Sequence, residues 1–225
     1  MRVTLLSYTG EPEKKIAAAA KLCYSPVGAE ALLENLGEEE AHSFIKKLIS
    51  MGHLSPLEHV SFTFAIEGVS RVLSHQIVRH RIASYSQKSQ RYVGEHDFPY
   101  IVPPSIQKNT DAKALYEEKM AEIAQAYSQL AELVPKEDAR YVLPSACETK
   151  FVATFNARSL LNFFQHRCCQ RAQWEIRLLA NNMLKKVQEM APALFATAGP
   201  TCVSHGICYE GSMSCGRADQ IVTRG

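Results

Sequence analysis

Val60-Ser61-Phe62-Thr63-Phe64-Ala65-Ile66-Glu67 reads VSFTFAIE, with Val60, Phe62, Phe64 and Ile66 on one face. Alternation at period two marks a half-buried strand. The period then changes: Val72, Leu73, Gln76, Ile77 and His80 recur at helical spacing, so the chain passes from a strand into a helix that carries Arg79-His80-Arg81 near its end. A second unit of this kind begins near 147. Phe151, Ala153 and Phe155 alternate with Lys150, Val152 and Thr154, and Asn156 stands where a helix needs its N-cap. A helix is expected from there to about residue 190, passing His166-Arg167 and stopping at Pro192.

Working outward, residues 2–8 read as a strand, 11–22 as an Ala-rich helix, and 38–51 as a helix closed by Gly52. Residues 111–134 make a long helix with Leu115, Ile123, Leu130 and Leu133 among its apolar positions, and a short helical piece leads to Pro144. The Ser/Gln-rich stretch after Arg81 and the Pro-rich stretch at 99–104 read as loops. The expected fold is therefore α/β (mixed α+β): a single compact domain, residues 1–200, with a central antiparallel or mixed sheet flanked by long helices. Residues 201–225 form a Cys-rich tail without periodicity.

The 225 residues carry 25 Lys+Arg against 23 Asp+Glu, a net charge of +2, with 46% hydrophobic residues. That is a globular composition, and it gives no global electrostatic reason to expect nucleic acid or membrane as partner. Seven scattered cysteines, an odd number, suit reduced thiols better than a disulfide framework. With no apolar run of signal or spanning length, the expected location is the cytoplasm.

Chemistry is concentrated locally. From Arg71 to Gly94 there is no Asp or Glu, while Arg71, Arg79, Arg81, Lys88 and Arg91 are positive. Ser84, Ser86, Gln87, Ser89 and Gln90 lie among the cations, a mixture suited to phosphate oxygens and sugar hydroxyls. On a helix, Arg79, His80 and Arg81 splay too widely to share one solvent face, which favours a ligand site over a solvated surface. In a second block, Arg158 and Asn162 are four residues apart on a helix just past a strand end, where α/β proteins place ligands. Arg167 points about 140° away from Asn162 at the helical repeat. Capping by Asn156 or Ser159 would also explain part of that block.

Other chemistries are poorly supported. His53 and His59 lack a zinc-hydrolase pattern, and no GxGxxG or GxxxxGK[ST] nest is present. No metal is expected at the site. Cys147, Cys168 and Cys169 fall as readily on packed faces as in a nucleophile's position. Cys202, His205, Cys208 and Cys215 follow no standard zinc spacing. An alternative reading of the 71–94 segment is an RNA- or nucleotide-binding module in which Tyr85 and Tyr92 stack on bases.

Arg79-His80-Arg81-Ile82-Ala83-Ser84-Tyr85-Ser86-Gln87-Lys88-Ser89-Gln90-Arg91 matches RHRxxSxxxxSxR at all six fixed positions. This resembles the signature of the flavin-dependent thymidylate synthases. His53…Ser55-Pro56…Glu58-His59, Asp138 to Pro144, and Asn156 to Arg167 and on to Gln173-Trp174-Glu175 resemble that family's blocks in its order. The resemblance implies reductive methylation of dUMP to dTMP with methylenetetrahydrofolate, NADPH and bound FAD, in a homotetramer with shared active sites. It implies FAD binding by Ser55, Arg79, His80, Arg81, Gln87, Asn156, Ala157, Arg158 and Asn162. It implies dUMP binding by Gln76, Arg79, Gln87, Lys88, Ser89, Gln90, Arg91, Arg140 and Arg167, with Arg167 the catalytic residue. No cysteine nucleophile is expected, and the tail, which carries no motif residue, is expected to be dispensable for the chemistry.

Overall fold

In the computed structural model, which describes residues 1–218, the elements run β1 (Arg2–Tyr8), α1 (Pro12–Leu22), α2 (Ala29–Asn35), α3 (Glu38–Ser50), β2 (Ser61–Ser70), α4 (Arg71–Ile77), β3 (Ala83–Gln87) and α5 (Pro104–Gln107). They continue through α6 (Thr110–Leu133), α7 (Lys136–Ala139), β4 (Glu148–Asn156), α8 (Ala157–Arg167), α9 (Trp174–Met190), α10 (Pro192–Phe195) and α11 (Thr201–Ser204). The four strands form one antiparallel sheet in the order β1-β2-β4-β3. Its register is marked by Thr63 and Thr154, whose hydroxyls lie 2.9 Å apart, and by the Lys88 N–H donating to the Lys150 carbonyl. The expected mixed α/β class is what forms.

Two compact units divide the chain: Met1–Arg2, Ile66–Arg79 and Tyr85–Val152 make the first, while Val3–Ala65, His80–Ser84 and the chain from Ala153 onward make the second. In the second, Phe62 and Phe64 of β2, Phe155 of β4, Phe163 and Phe164 of α8 and Phe195 are all fully buried. Edge-to-face contacts link them, Phe62 to Phe195 at 5.5 Å and Phe164 to Phe195 at 6.1 Å between ring centres, the geometry that aromatic quadrupoles favour. The alternation read from VSFTFAIE thus supplies the inward face of β2. In the first unit, Phe98, Met120 and Cys147 form a core joined by Tyr100, Tyr116 and Ile123.

Three local expectations need correction. The helix after Asn156 does not run to 190: it stops at Arg167, and α9 starts at Trp174, where the Gln173 side chain accepts from the Glu175 and Ile176 N–H groups. The helix after β2 ends at Ile77, so Arg79, His80 and Arg81 stand in the turn beyond it and the helical splay argued for them does not apply. Residues 83–87, read as loop, form β3, and α2 was not foreseen at all. On α6, Leu115 and Leu133 are exposed and the buried positions are Met120 and Tyr127.

Candidate functional site

In the second unit the site is built where β4 turns into α8. The Ala157 N–H donates to the Val60 carbonyl at 3.0 Å, and Asn156 Oδ1 accepts from the Ser159 N–H at 2.8 Å, closing the helix start. Asn156 therefore acts as a cap through its oxygen, and Ala157 is buried with its N–H already engaged. From this start Arg158 and Asn162, one turn apart and both exposed, line one cavity of about 640 Å³. Lys46, Ser50, Gln165 and His205 add polar groups to its wall, and Ile49, Leu54, Leu161 and Leu194 add apolar ones. Ser55 lies outside that lining, but it opens the 3₁₀ turn whose Glu58 Oε1 receives Arg158 Nη1 at 2.6 Å.

His80 and Arg167 meet in the same unit, although 87 residues separate them. Arg167 Nε donates to His80 Nε2 at 3.1 Å, and the imidazole packs edge-on against Phe163 at 4.9 Å between ring centres. Burial, then the Arg167 guanidinium, then His166 hold His80 down at about 4, so the ring is neutral at pH 7 and can accept that bond. No hydrogen bond engages the terminal guanidinium nitrogens of Arg167 among the described residues. Arg81 is exposed.

The first unit gathers most of the remaining candidates. Gln87 Nε2 donates to Thr149 Oγ1 at 3.0 Å across the β3–β4 pair. Lys88 Nζ lies 2.6 Å from the buried Glu95 carboxylate, and Arg91 Nε donates to Glu137 Oε2 at 2.9 Å. Two cations of the acid-free segment thus find carboxylates outside it. Arg140 Nε donates to the Glu137 carbonyl at 3.1 Å, so Glu137 positions both arginines. Ser89 Oγ accepts from the Arg91 N–H, shaping the turn that presents Arg91. Gln90 is buried, and its Nε2 has no partner among the described residues. Gln76 is half-buried in α4 and Arg79 is exposed beyond it.

Several residues escaped the sequence reading. Arg71, seen as part of the basic run but given no role, stands within electrostatic reach of Arg140, Glu95 and Cys147. Burial first, and then Arg140, pulls its pKa down. Lys46 and Gln165 gave no signal, because a single polar residue on a helix looks like solvated surface, and His205 drew notice only for its place among the tail cysteines. Two features bear on the alternatives. Tyr85 donates its hydroxyl to the Ile77 carbonyl and burial raises its pKa, so its ring is held in place rather than offered to a base; Tyr92 is exposed, with Arg91 over its ring at 5.5 Å. Burial pushes the Cys147 and Cys168 thiols up to about 12, which leaves both protonated and poor nucleophiles at pH 7.

A mixed α/β protein with one set of cations and amides around a cleft, and another around a strand end, is an enzyme scaffold for anionic, hydroxyl-rich ligands. The family model described as thymidylate synthase complementing protein matches residues 4–193. The chain is 53% identical over 238 residues to the flavin-dependent thymidylate synthase of Clostridium tetani, covering 98% of this chain and 95% of that protein. It is 51% identical over 224 residues to that of Geobacter sulfurreducens (98% and 96% covered) and 47% over 208 residues to that of Sulfurisphaera tokodaii (91% and 80%). The chain belongs to the flavin-dependent thymidylate synthase family.

Proposed function

We propose that this chain makes dTMP from dUMP, taking its carbon from methylenetetrahydrofolate and its reducing equivalents from NADPH with FAD bound. The observation that carries the reading is the meeting of Arg167 with His80, which joins the RHRxxSxxxxSxR segment to the Asn156–Arg167 block. The near full-length identity with proteins named for this activity supports it.

The donor set fits a dinucleotide held by side chains. Arg158 and Lys46 offer charge to a diphosphate, Asn162 and Gln165 offer amides to hydroxyls and ring edges, and the apolar wall suits a flat ring system. Ser55, Arg79, His80, Arg81, Gln87, Asn156, Ala157, Arg158 and Asn162 would hold FAD, Asn156 through the amide N–H groups its capping bond leaves unused. Bound FAD supplies hydride transfer between NADPH and the pyrimidine.

Gln76, Arg79, Gln87, Lys88, Ser89, Gln90, Arg91, Arg140 and Arg167 would hold dUMP, Arg79, Arg91 and Arg140 taking the phosphate and the unpartnered Gln90 amide supplying a buried donor. Arg167 presents a planar fork to the edge of the base, where negative charge grows on O2, N3 and O4 as the ring accepts electron density. Neutral His80 holds Nε of that fork without adding a competing charge. The exposed leucines of α6, Leu115, Leu130 and Leu133, provide apolar surface for the proposed homotetramer. The scattered cysteines support a cytoplasmic location.

A visible spectrum and a product assay test this together. The purified protein should show flavin absorbance and form dTMP only when dUMP, methylenetetrahydrofolate and NADPH are all present. A colourless protein that FAD cannot reconstitute, binding RNA through residues 71–94, would replace the enzyme reading with the binding module.

A further inference from the structure

In the first unit, β3 is followed by a loop, residues 88–95, that carries Ser89, Gln90 and Arg91 of the proposed dUMP set. Its two ends meet. Lys88 Nζ lies 2.6 Å from Glu95 Oε1, with only 17% of the lysine side chain and 4% of the glutamate side chain exposed. No hydrogen bond otherwise reaches that carboxylate oxygen among the described residues, so the ammonium is its close counter-charge. Inside the loop the Val93 N–H donates to the Ser89 carbonyl at 3.1 Å, and the Arg91 N–H to Ser89 Oγ at 3.2 Å. Both ends are also tethered to regular elements. The Lys88 N–H donates to the Lys150 carbonyl of β4 at 3.0 Å, and the Glu95 N–H to the hydroxyl of Tyr127, a fully buried residue of α6, at 3.2 Å. The His96 ring packs edge-on against Tyr127 at 5.5 Å between centres, and a Cβ on Gly94 would stand 3.2 Å from that imidazole.

We infer that Glu95 is a positioning residue for the substrate: its carboxylate holds Lys88, and the clasp fixes the loop that presents Ser89, Gln90 and Arg91. The Lys88 ammonium is then engaged by Glu95 and not by the ligand's phosphate, so Lys88 serves dUMP through the loop it closes. This deepens, and rests on, the reading that these residues hold dUMP.

A loop closed before the ligand arrives spares the ordering cost that a free loop would incur on binding. A desolvated ion pair also makes the clasp all-or-none. Removing one partner leaves an uncompensated buried charge, whereas replacing both with apolar side chains of similar volume is tolerated. Arg71 stands within electrostatic reach of Glu95 and Glu137 holds Arg91, so each carboxylate beside the loop steadies a cation. Direct contact between Lys88 and phosphate makes the opposite prediction. Glu95 would then compete with the phosphate for the ammonium, and neutralising Glu95 would tighten binding.

The test is calorimetric titration of dUMP into the full-length, FAD-loaded protein, with FAD affinity measured separately. Glu95→Gln and Lys88→Met should each weaken dUMP at least about fivefold while FAD affinity stays within about twofold of wild type. Lys88→Met/Glu95→Met, which removes both charges and keeps the volume, should return dUMP affinity to within about threefold of wild type. Glu95→Gln binding dUMP as tightly as wild type, or more tightly, would overturn the inference. So would a double variant as weak as Lys88→Met, or a loss of FAD that parallels the loss of dUMP. Should Glu95→Gln fail to fold, the comparison of Lys88→Met with the double variant decides alone. A wild-type protein that binds FAD but not dUMP overturns the substrate reading together with this inference, whereas wild-type dUMP binding left unchanged in every variant overturns this inference alone.

Discussion

At the scale of single residues, the roles proposed for Arg167 and His80 turn on the one hydrogen bond that joins them. A cation that stabilises charge only as it develops on the base contributes to turnover rather than to binding. Arg167→Lys keeps the charge but loses the fork, and Arg167→Ala loses both, so each should cost at least about a hundredfold in turnover at saturating dUMP with flavin content unchanged. Near wild-type turnover in both would make Arg167 structural and leave Arg91 as the next candidate. His80 gives a pH signature. Its pKa falls from 6.5 when unfolded to about 4 when folded, so above 6.5 neither state holds the proton and its stabilising effect is complete. As pH drops from 6.5 to 4 the unfolded chain takes up a proton that the folded chain refuses, and stability falls. Urea midpoints should therefore decline across that window in wild type and less steeply in His80→Gln; equal slopes would show that His80 titrates freely in the fold. The sequence names both residues and points to Arg167, but neither the bond between them nor the lowered pKa of His80 was legible there, because 87 residues separate the pair.

Elements were legible wherever burial imposes a period. β2 and β4 each keep one apolar face, and both pass into helices through a side-chain cap: Ser70 Oγ accepts from the Leu73 N–H at 3.1 Å, and Asn156 does the same for Ser159. The helices differ sharply in length, because α8 continues its apolar stripe through Leu160, Phe163 and Phe164 while α4 has only Leu73 and Ile77 before the chain turns. β3 was illegible for the opposite reason. Its alternating exposure falls on Ala83, Ser84, Tyr85, Ser86 and Gln87, an edge strand whose polar residues carry no apolar rhythm. The break at 168–173 contains neither Gly nor Pro, and only the Gln173 cap marks it. Ser70→Ala tests the cap directly: it should cost about 1 kcal/mol of stability in a denaturant titration. An unchanged midpoint would mean that packing of Leu73 and Ile77 alone holds the start of α4.

At the scale of the whole molecule, the division of the chain into two units sorts the candidates by ligand with few exceptions. The proposed FAD residues Ser55, His80, Arg81, Asn156, Ala157, Arg158 and Asn162 belong to the second unit, and Gln76, Lys88, Ser89, Gln90, Arg91 and Arg140 of the dUMP set to the first. These proposed residues stand out by type and spacing, whereas the tail carries no such pattern. Ser204 and His205 nevertheless line the cavity shared by Lys46, Arg158 and Asn162. That is a physical reason to expect the reverse of a dispensable tail. Ending the chain at Pro200 removes one wall of the cleft and lets water reach whatever it holds, so FAD affinity should fall at least about tenfold, equivalent to ~1.4 kcal/mol. Flavin retained through gel filtration, titrated against added FAD, reads the change. Because truncation also deletes the rest of the tail, Ser204→Ala/His205→Ala isolates the wall of the cleft: it should weaken FAD in the same direction with the chain otherwise intact. Wild-type FAD affinity in both variants would place the tail outside the cofactor site and return the cleft's binding to Arg158, Asn162 and Lys46.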